Sequence, residues 1–380
     1  MRLTHATICF LCLVLALAPT AGATGDGNRL RVIIETDAGG DRDDQATLVR
    51  LLMYTNDLDV RGIIADRART SNWPLQGKGT GLELVNHYLD AYAQIQPSLV
   101  QHDPRYPTAQ TLRERTVAGY NNVDDGVELI IREVDAADEP VWYSNWGSNS
   151  GTVSNLRRAL DRVENSRSAE QYQRFVSKLR IVTLDGSDRT KQRHTEDIPL
   201  HIETGYPGFA WGQRWYHRFR PLTEHAGGFD IGHDVKTDHG ELGTIYTITK
   251  EGDSWTVVYL LPNGLNIPTE PTWGGWAGRY GPRSEGSLDD PSRNTVDGLV
   301  APEGYFWANQ KDSWNGTTSQ DNTAARWAAA LQNDFAARMD WAVTDPSQAN
   351  HAPESPLCLY GYLSIEAMPG EEVRLDGSSW

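Results

Sequence analysis

The chain alternates between short apolar runs and segments in which apolar residues recur every three or four positions. An unbroken apolar run is typical of a buried strand, and the spacing of three and four is typical of a helix with one buried face. The pattern predicts strands at residues 30–34, 59–65, 141–146 and 179–184, and helices through residues 46–53, 81–95, 127–134 and 156–163. Because strands and helices alternate, we predict an α/β fold with a mostly parallel sheet flanked by helices, a Rossmann-type arrangement of three layers.

The pattern is less regular further along the chain. Residues 186–243 contain scattered aromatic residues and six histidines between His194 and His239, and no element is assigned there. Residues 255–261 form an aromatic and β-branched run that predicts another strand, and residues 323–339 predict a last helix. Residues 262–319 are rich in Gly, Pro, Asn and Trp, which favours long loops on the active face.

The N-terminal segment, residues 1–23, has the features of a secretory signal peptide. Arg2 precedes an apolar stretch at residues 8–18, and the small residues Ala21-Gly22-Ala23 follow. We therefore expect cleavage after Ala23 and a secreted protein, extracellular or periplasmic.

The C-terminal segment also differs from the main domain, which we assign to residues 29–344. Residues 345–353 have the composition of a linker, and residues 362–367 and 372–375 alternate like strands. Because two strands are too few for a stable sheet, we interpret residues 345–380 as a linker and the start of a truncated β domain.

Composition and charge narrow the range of partners. The formal net charge is −16, which argues against nucleic acid as the main partner. With Cys9 and Cys12 in the signal peptide, Cys358 is the one cysteine left, so no internal disulfide is expected. No later segment is apolar over enough residues to span a membrane. Thirteen Trp and fifteen Tyr offer flat rings that stack on sugars, which favours a carbohydrate ligand.

An acidic turn follows the first predicted strand. Ligands bind at the carboxyl ends of strands in open α/β sheets, and this is where the turn is expected. Closely spaced carboxylates repel one another unless a cation lies among them, so we predict a hard cation, Ca²⁺ before Mg²⁺. The turn has five acidic residues in ten positions, namely Glu35, Asp37, Asp41, Asp43 and Asp44.

Other interpretations explain the acidic turn less well. One is a helix N-cap with favourable charge at the helix start, worth about 1 kcal/mol, but a cap needs a single aspartate. An EF-hand loop would place an acid or amide at Gly39, and a phosphate-binding loop would need a Gly-Lys pair. The spacing excludes both of these loops.

With this turn, further motifs along the chain carry a family resemblance. They are Thr36-Asp37 with Gly39-Gly40-Asp41-x-Asp43-Asp44-Gln45, Glu251-Gly252-Asp253, Pro262-Asn263-Gly264-Leu265, Gly274-Gly275-Trp276-x-Gly278-Arg279-Tyr280, and Asn333-Asp334-Phe335-Ala336-Ala337-Arg338-Met339-Asp340-Trp341. The chain resembles the nucleoside hydrolase superfamily. More narrowly, it resembles the nucleoside hydrolase-like domain of secreted proteins described as cellulose-binding, in which a C-terminal immunoglobulin-like domain follows.

The resemblance implies roles for individual residues. Asp37 matches an aspartate that binds Ca²⁺ and acts as general base on the attacking water. Asp44 matches a calcium ligand and Asp43 a contact to sugar hydroxyls. Trp146 matches a residue whose backbone carbonyl reaches the metal, and Asp253 is the candidate for the remaining acidic ligand.

The sequence also departs from the superfamily pattern. Glu35 stands where the superfamily has Asp, and Gly40 stands where it has Asn. The Asn and Glu contacts that nucleoside hydrolases make to ribose are not found. The resemblance is therefore more specific for metal binding than for nucleoside cleavage.

The residues support a hydrolytic mechanism on physical grounds. Ca²⁺ takes about six to eight oxygen ligands, so three aspartates, one carbonyl and two or three waters complete a shell. The metal would acidify a water, whose proton could pass to Asp37. Direct attack of that water on a sugar predicts inversion at the anomeric carbon.

Candidate residues that protonate the leaving group or contact the sugar come from the second half of the chain. His233 and His239 flank Asp238 and are candidate proton donors, although either could be a structural histidine. A glycine-rich loop carries candidate sugar contacts, which could equally pack against the last helix: Trp273, Trp276, Arg279 and Tyr280.

Three functions are compatible with the sequence. The first is a secreted, Ca²⁺-dependent glycoside hydrolase acting on a carbohydrate. The second is a carbohydrate-binding protein that keeps the metal site without turnover. The third is a secreted nucleosidase that cleaves N-ribosyl bonds. In each case the partner is a small-molecule carbohydrate or nucleoside.

Overall fold

The structure, a computed structural model, describes residues 29–40, 42–71, 78–147, 154–183, 197–204, 225–246, 251–263, 267–282, 304–308 and 310–351. The expected signal peptide, Cys358 and the strands expected at 362–367 and 372–375 lie outside these residues, and the domain boundaries stay predictions. Within the described part, no helix is both long and apolar enough to cross a membrane.

The first half of the domain consists of alternating strands and helices. The elements are β1 (Leu30–Thr36), α1 (Asp43–Met53), β2 (Leu58–Ala65), α2 (Gly81–His102), α3 (Ala109–Glu114), β3 (Thr116–Ala118), α4 (Asp125–Asp135), β4 (Val141–Asn145), α5 (Asn155–Ser166), α6 (Ala169–Ser177) and β5 (Leu179–Thr183). Every predicted strand and helix of this half is present. The prediction missed the helices α3 and α6 and the strand β3, which has three half-buried residues and too little apolar surface to stand out.

The second half contains shorter elements. They are β6 (His201–Glu203), a π-helical turn (Gly232–Lys236), α7 (Gly240–Thr244), α8 (Ser254–Leu260), β7 (Gly281–Pro282), β8 (Tyr305–Trp307), β9 (Asp312–Trp314), β10 (Thr317–Ser319), α9 (Asn322–Ala325) and α10 (Ala328–Trp341). The last predicted helix is thus divided in two, and the predicted loop region 262–319 includes short strands.

One predicted strand was wrong. Residues 254–260 form the helix α8, and every one of them is buried. A helix that is buried on all sides has no polar face, so its sequence shows no period of three or four and resembles a buried strand. α8 packs between α1 and β4, where it extends the layer of helices instead of the sheet.

The main sheet has eight strands in the order β3-β2-β1-β4-β5-β6-β8-β7. All neighbours are parallel except β7, which is antiparallel to β8, and β9 and β10 form a separate antiparallel pair. The predicted α/β fold with a mostly parallel sheet flanked by helices is confirmed.

Two hydrophobic cores lie on the two faces of the sheet. Side chains alternate along β1, so Val32 and Ile34 join one core and Ile33 joins the other. The first core is built with α1, α2, α8 and α10, and the second with α4, α5 and α6. The result is a three-layer domain in which the carboxyl ends of β1, β2 and β4 are in register, with Glu35 opposite Ile64 and Asn145.

Candidate functional site

The acidic turn folds tightly between β1 and α1. The Thr36 hydroxyl donates a hydrogen bond to the Asp44 carboxylate and accepts one from the backbone N–H of Ala38 at 3.2 Å. Gly39 has a φ of +96°, a conformation that favours glycine, and the N–H of Gly40 donates to the carbonyl of Asp37 at 2.9 Å. The turn therefore folds back so that Asp37 and Asp44 share one side.

Three buried aspartates come together at the starts of two helices. Asp43 and Asp44 occupy the first turn of α1, and Asp253 directly precedes α8. Carboxylate oxygens of the three residues all lie within 4.8 Å of one another. The two helices are joined next to this acidic cluster by a hydrogen bond of 2.9 Å between the hydroxyls of Thr47 and Ser254. We use "acidic cluster" for Asp43, Asp44 and Asp253.

The segment that carries Asp253 is held by a buried ion pair. Arg50 contacts Glu251 through Nε and Nη2, the latter 3.0 Å from Oε1. The hydroxyls of Ser254 and Tyr246 also donate to the Glu251 carboxylate. Glu251 thus fixes the chain two residues before Asp253 against α1.

A chain of hydroxyls connects α8 to the sheet. The Ser144 hydroxyl of β4 donates to Thr256 Oγ1 at 3.0 Å, and the Thr256 hydroxyl donates to the carbonyl of Asp253 at 2.8 Å. The start of α8 at Asp253 is therefore linked to β4 through two hydroxyls.

Asp37 is the accessible member of the group. Its side chain is 22% exposed, and Oδ2 accepts a hydrogen bond from Arg67 Nη1 at 2.9 Å. Two glycines make room for its carboxylate. A Cβ added at Gly40 would lie 2.8 Å from Asp37 Oδ2, and one added at Gly147 would lie 2.7 Å from Oδ1.

The electrostatics of the cluster oppose full ionisation without a counter-charge. Burial raises the pKa of Asp44 well above its ordinary value, and the negative charges of Asp37 and Asp43 raise it further. The hydrogen bond from Thr36 acts in the opposite direction. Asp44 therefore requires either a proton or a cation when its neighbours are charged.

Glu35 lies on β1 beside the turn, and Trp146 directly follows β4. The N–H of Trp146 donates to the carbonyl of Glu35 at 2.9 Å, which places the peptide between Trp146 and Gly147 next to Asp37. The Glu35 side chain is fully buried and accepts a hydrogen bond from Asn155 Nδ2 at 3.1 Å. Asn155 belongs to α5, so Glu35 faces the opposite side of the sheet from the acidic cluster. Asp41 lies outside the described residues.

The structure does not bring His239 to the acidic cluster. His239 Nε2 lies 2.9 Å from Asp340 Oδ1, near the end of α10. Two residues earlier on this helix, Arg338 donates to the carbonyl of Met53, the last residue of α1. The cluster is at the other end of α1, about 16 Å away for a helix of this length.

His233 lies in the same region as His239. Its side chain is 85% exposed, and a hydrogen bond to Asp234, with the charges of Asp234 and Asp340, raises its pKa. The prediction of His233 and His239 as proton donors at the acidic cluster gains no support from the structure, because His239 pairs with Asp340 and His233 pairs with Asp234.

The glycine-rich loop presents one aromatic ring to solvent. Trp273 is 63% exposed, whereas Trp276 is partly buried against the first core. Tyr280 is fully buried and donates to the carbonyl of Ala277 at 2.8 Å, so its predicted contact to sugar was wrong.

Arg279 anchors the same loop. Its guanidinium binds Asp312 Oδ1 at 2.5 Å, and also Gln310 and the carbonyl of Lys311. With a bond of 3.2 Å from Nε to Asp312 Oδ1, these contacts use three of its nitrogen atoms, so the residue ties the loop to β9.

Sequence reasoning missed Arg67 and the ion pair of Arg50 with Glu251. Arg67 could have been found, because it follows β2, whose carboxyl end lies beside that of β1. The pairing of Arg50 with Glu251 could not, because it joins residues 201 positions apart through a helix that the pattern had assigned as a strand.

Comparisons with known proteins cover most of the described domain. The model of a family described as "Cellulose-binding Sde182, nucleoside hydrolase-like domain" matches residues 31–280, which include Asp37, Asp43, Asp44 and Asp253. Among solved structures, a nucleoside hydrolase-related hypothetical protein from Saccharophagus degradans, associated with carbohydrate metabolism, has a TM-score of 0.58 and 28% sequence identity, and the match covers 85% of this chain and 74% of that chain. No curated protein matches the chain.

Proposed function

We propose the function from the family to which this chain belongs, the cellulose-binding Sde182 proteins with a nucleoside hydrolase-like domain. The chain hydrolyses a glycosidic bond of a carbohydrate at the acidic cluster, with the help of a divalent cation. The observation that carries the proposal is the approach of three buried carboxylates, from Asp43, Asp44 and Asp253, to within 4.8 Å of one another. The family name and the association of the similar solved structure with carbohydrate metabolism favour a sugar as the ligand.

The donor set suits Ca²⁺. All side-chain donors are carboxylate oxygens, which hard cations prefer, and the raised pKa of Asp44 means that a positive charge there would replace a proton. Asp37 and the carbonyl of Trp146, on the peptide beside it, would complete the protein ligands. A bound Ca²⁺ would supply positive charge that holds sugar hydroxyls and makes a nearby water more acidic.

Asp37 is the proposed general base. It is the most accessible of the four aspartates, so a water can reach its carboxylate from solvent. Asp37 would take a proton from that water as the oxygen attacks the anomeric carbon. The leaving-group oxygen would depart with the electron pair of the glycosidic bond and take up a proton from solvent. Because water attacks directly, the product would have inverted configuration.

Two further residues are proposed to contact the sugar. Asp43 would accept hydrogen bonds from hydroxyls at the cluster. Trp273 would stack on a sugar face, since its ring is exposed while its backbone N–H is fixed to the carbonyl of Glu270 at 3.0 Å. We further propose that the protein acts outside the cytoplasm, on the pattern of residues 1–23 and the family's association with cellulose.

A second candidate function is carbohydrate binding without turnover. It is favoured by the contacts of the two candidate proton donors, since His239 pairs with Asp340 and His233 pairs with Asp234, and neither contacts the acidic cluster among the described residues. It is also favoured by the ion pair between Asp37 and Arg67, in which the guanidinium occupies one carboxylate oxygen of the proposed base.

One comparison of variants separates these functions. Reducing-sugar release from a glycan panel and base release from nucleosides are measured with Ca²⁺ and with chelator, for wild type, Asp37→Asn and the control Asp90→Asn. Asp90 is an exposed residue of α2 that pairs with Arg113. We expect Ca²⁺-dependent sugar release that Asp37→Asn abolishes and Asp90→Asn retains. Sugar binding without any release would establish the second candidate, and base release alone would identify a nucleosidase.

A further inference from the structure

Arg67 lies on a loop that is fastened to the acidic turn. Asp66 N–H donates to the carbonyl of Thr36 at 2.9 Å, and Ser71 N–H donates to the carbonyl of Gly39 at 2.7 Å. The carbonyl of Arg67 accepts from the N–H of Gly81 at 2.7 Å. The backbone on both sides of Arg67 is therefore fixed relative to Asp37.

The guanidinium of Arg67 is only partly used. Among the described residues, its side chain makes one hydrogen bond, from Nη1 to Asp37. The side chain is 29% exposed. An arginine side chain has five N–H donors in a planar fork that matches a carboxylate in two parallel bonds. Within the part of the chain that the structure describes, Nε and Nη2 therefore have no hydrogen-bond acceptor, and they can donate to a ligand at the accessible side of Asp37.

Glycine at position 40 permits this placement. A Cβ added there would lie 2.2 Å from Arg67 Nη1 and 2.5 Å from Cζ. A larger residue would displace the guanidinium from the turn, so Gly40 and Arg67 act together.

The negative charge of the protein allows the positive side chain of Arg67 to determine where an acidic ligand binds. The chain carries a net charge of −16, and a protein of this charge repels anionic ligands in general. Arg67 is a fixed positive group next to Asp37, the most accessible of the four described aspartates of the site. An acidic ligand can therefore bind where its negative group meets Arg67.

We infer that Arg67 is a specificity-determining residue that makes the site select a saccharide carrying a carboxylate, that is, a uronic acid. A carboxylate fits better than a phosphate, because the second charge of a phosphate would be repelled by the four aspartates. The inference rests on the proposed function, since it requires the sugar to lie against Asp37. A purely structural Arg67 would neutralise Asp37 and would not discriminate between sugars.

The test uses cellobiose and cellobiouronic acid, which differ by one carboxylate. Binding of each to the full chain is measured by calorimetry with saturating Ca²⁺, for wild type, Arg67→Ala, Arg67→Lys and the control Arg174→Ala. Arg174 is an exposed arginine of α6 that pairs with the exposed Asp138. Thermal unfolding of each variant, and a separate Ca²⁺ titration, establish that the proteins are folded and that the cation is bound.

Wild type is expected to bind the acidic disaccharide at least about tenfold more tightly than the neutral one, because a charge-assisted hydrogen bond forms only with the acidic sugar. Arg67→Ala should reduce the preference to within about twofold, Arg67→Lys should keep part of it, and Arg174→Ala should keep all of it. Equal binding of both sugars by wild type, or an equal loss of both in Arg67→Ala, would overturn the inference while leaving the proposed function in place. A wild-type protein that binds neither Ca²⁺ nor sugar would overturn both.

Discussion

Arg50 and Glu251 form an ion pair that is buried behind the acidic cluster, with Arg50 Nη2 3.0 Å from Glu251 Oε1 and both side chains almost fully inaccessible. Arg50 Nη2 also donates to Gln332, and its guanidinium lies 3.9 Å from the centre of the Phe335 ring. The pair connects α1, α10 and the start of α8. It therefore links the core of the domain to the position of Asp253.

Replacing one partner of this pair should destabilise the domain strongly. In Arg50→Met the charge of Glu251 stays buried without its arginine, so we expect a loss of about 3–5 kcal/mol in the free energy of unfolding. Denaturant unfolding followed by fluorescence measures this loss. The control Arg174→Ala, an exposed pair on α6, should change it by less than about 0.5 kcal/mol. A small effect of Arg50→Met would show that the pair does not anchor α8.

The acidic cluster gives a prediction that combines pH and cation. The pKa of Asp44 is raised in the folded state, so its contribution to stability is present at low pH and is lost as the pH rises through the folded pKa. In chelator, Asp44→Asn should therefore increase the melting temperature at pH 7.5. Adding Ca²⁺ should stabilise wild type and leave Asp44→Asn nearly unchanged.

Melting curves with chelator and with Ca²⁺ test this prediction, and Asp125→Asn at the start of α4 is the matched control. Both aspartates lie in the first turn of a helix, so the comparison removes the effect of helix-end charge. If Ca²⁺ changes the melting temperature of neither wild type nor Asp125→Asn, the cluster does not bind this cation.

A second pH effect is expected where the chain leaves α10. His102 is stacked on Trp341 at a centroid distance of 5.2 Å, and its Nδ1 lies 2.9 Å from His351 Nε2. Burial lowers the pKa of His102, and the neighbouring His351 lowers it further, while the carbonyl of Thr344 and the charge of Asp345 act to raise it. The histidine is therefore uncharged more readily in the folded state than in the unfolded chain.

The lowered pKa of His102 determines in which direction stability changes with pH. The contribution of His102 to stability is present above its unfolded pKa, near 6.5, and is lost as the pH falls through the lower folded pKa. His102→Gln should thus flatten the change in melting temperature between pH 7.5 and 5. His87→Gln on the same helix is the control, and an unchanged slope in His102→Gln would contradict the prediction.

The sequence predicted the sheet well, because parallel strands covered on both faces are apolar along their whole length. It predicted the wrong element at residues 254–260 for the same reason, since α8 is buried on every side. The proximity of Asp43 and Asp44 to the end of β1 follows from local sequence. By contrast, the separation of His239 from the cluster depends on how α10 lies along α1, and no local pattern contains that information.

The glycine-rich loop allows sugar binding and packing to be tested at two neighbouring tryptophans. Trp273 is exposed and contributes little to the core, whereas Trp276 packs against it. Trp273→Ala should weaken binding to a cello-oligosaccharide by about tenfold through the loss of stacking, with the melting temperature unchanged. Trp276→Ala should lower the melting temperature because it leaves a cavity at the edge of the core. Calorimetry and thermal unfolding of both variants distinguish sugar binding from packing. If Trp273→Ala binds the sugar as tightly as wild type does, the loop has a structural role and the sugar contacts lie at the acidic cluster.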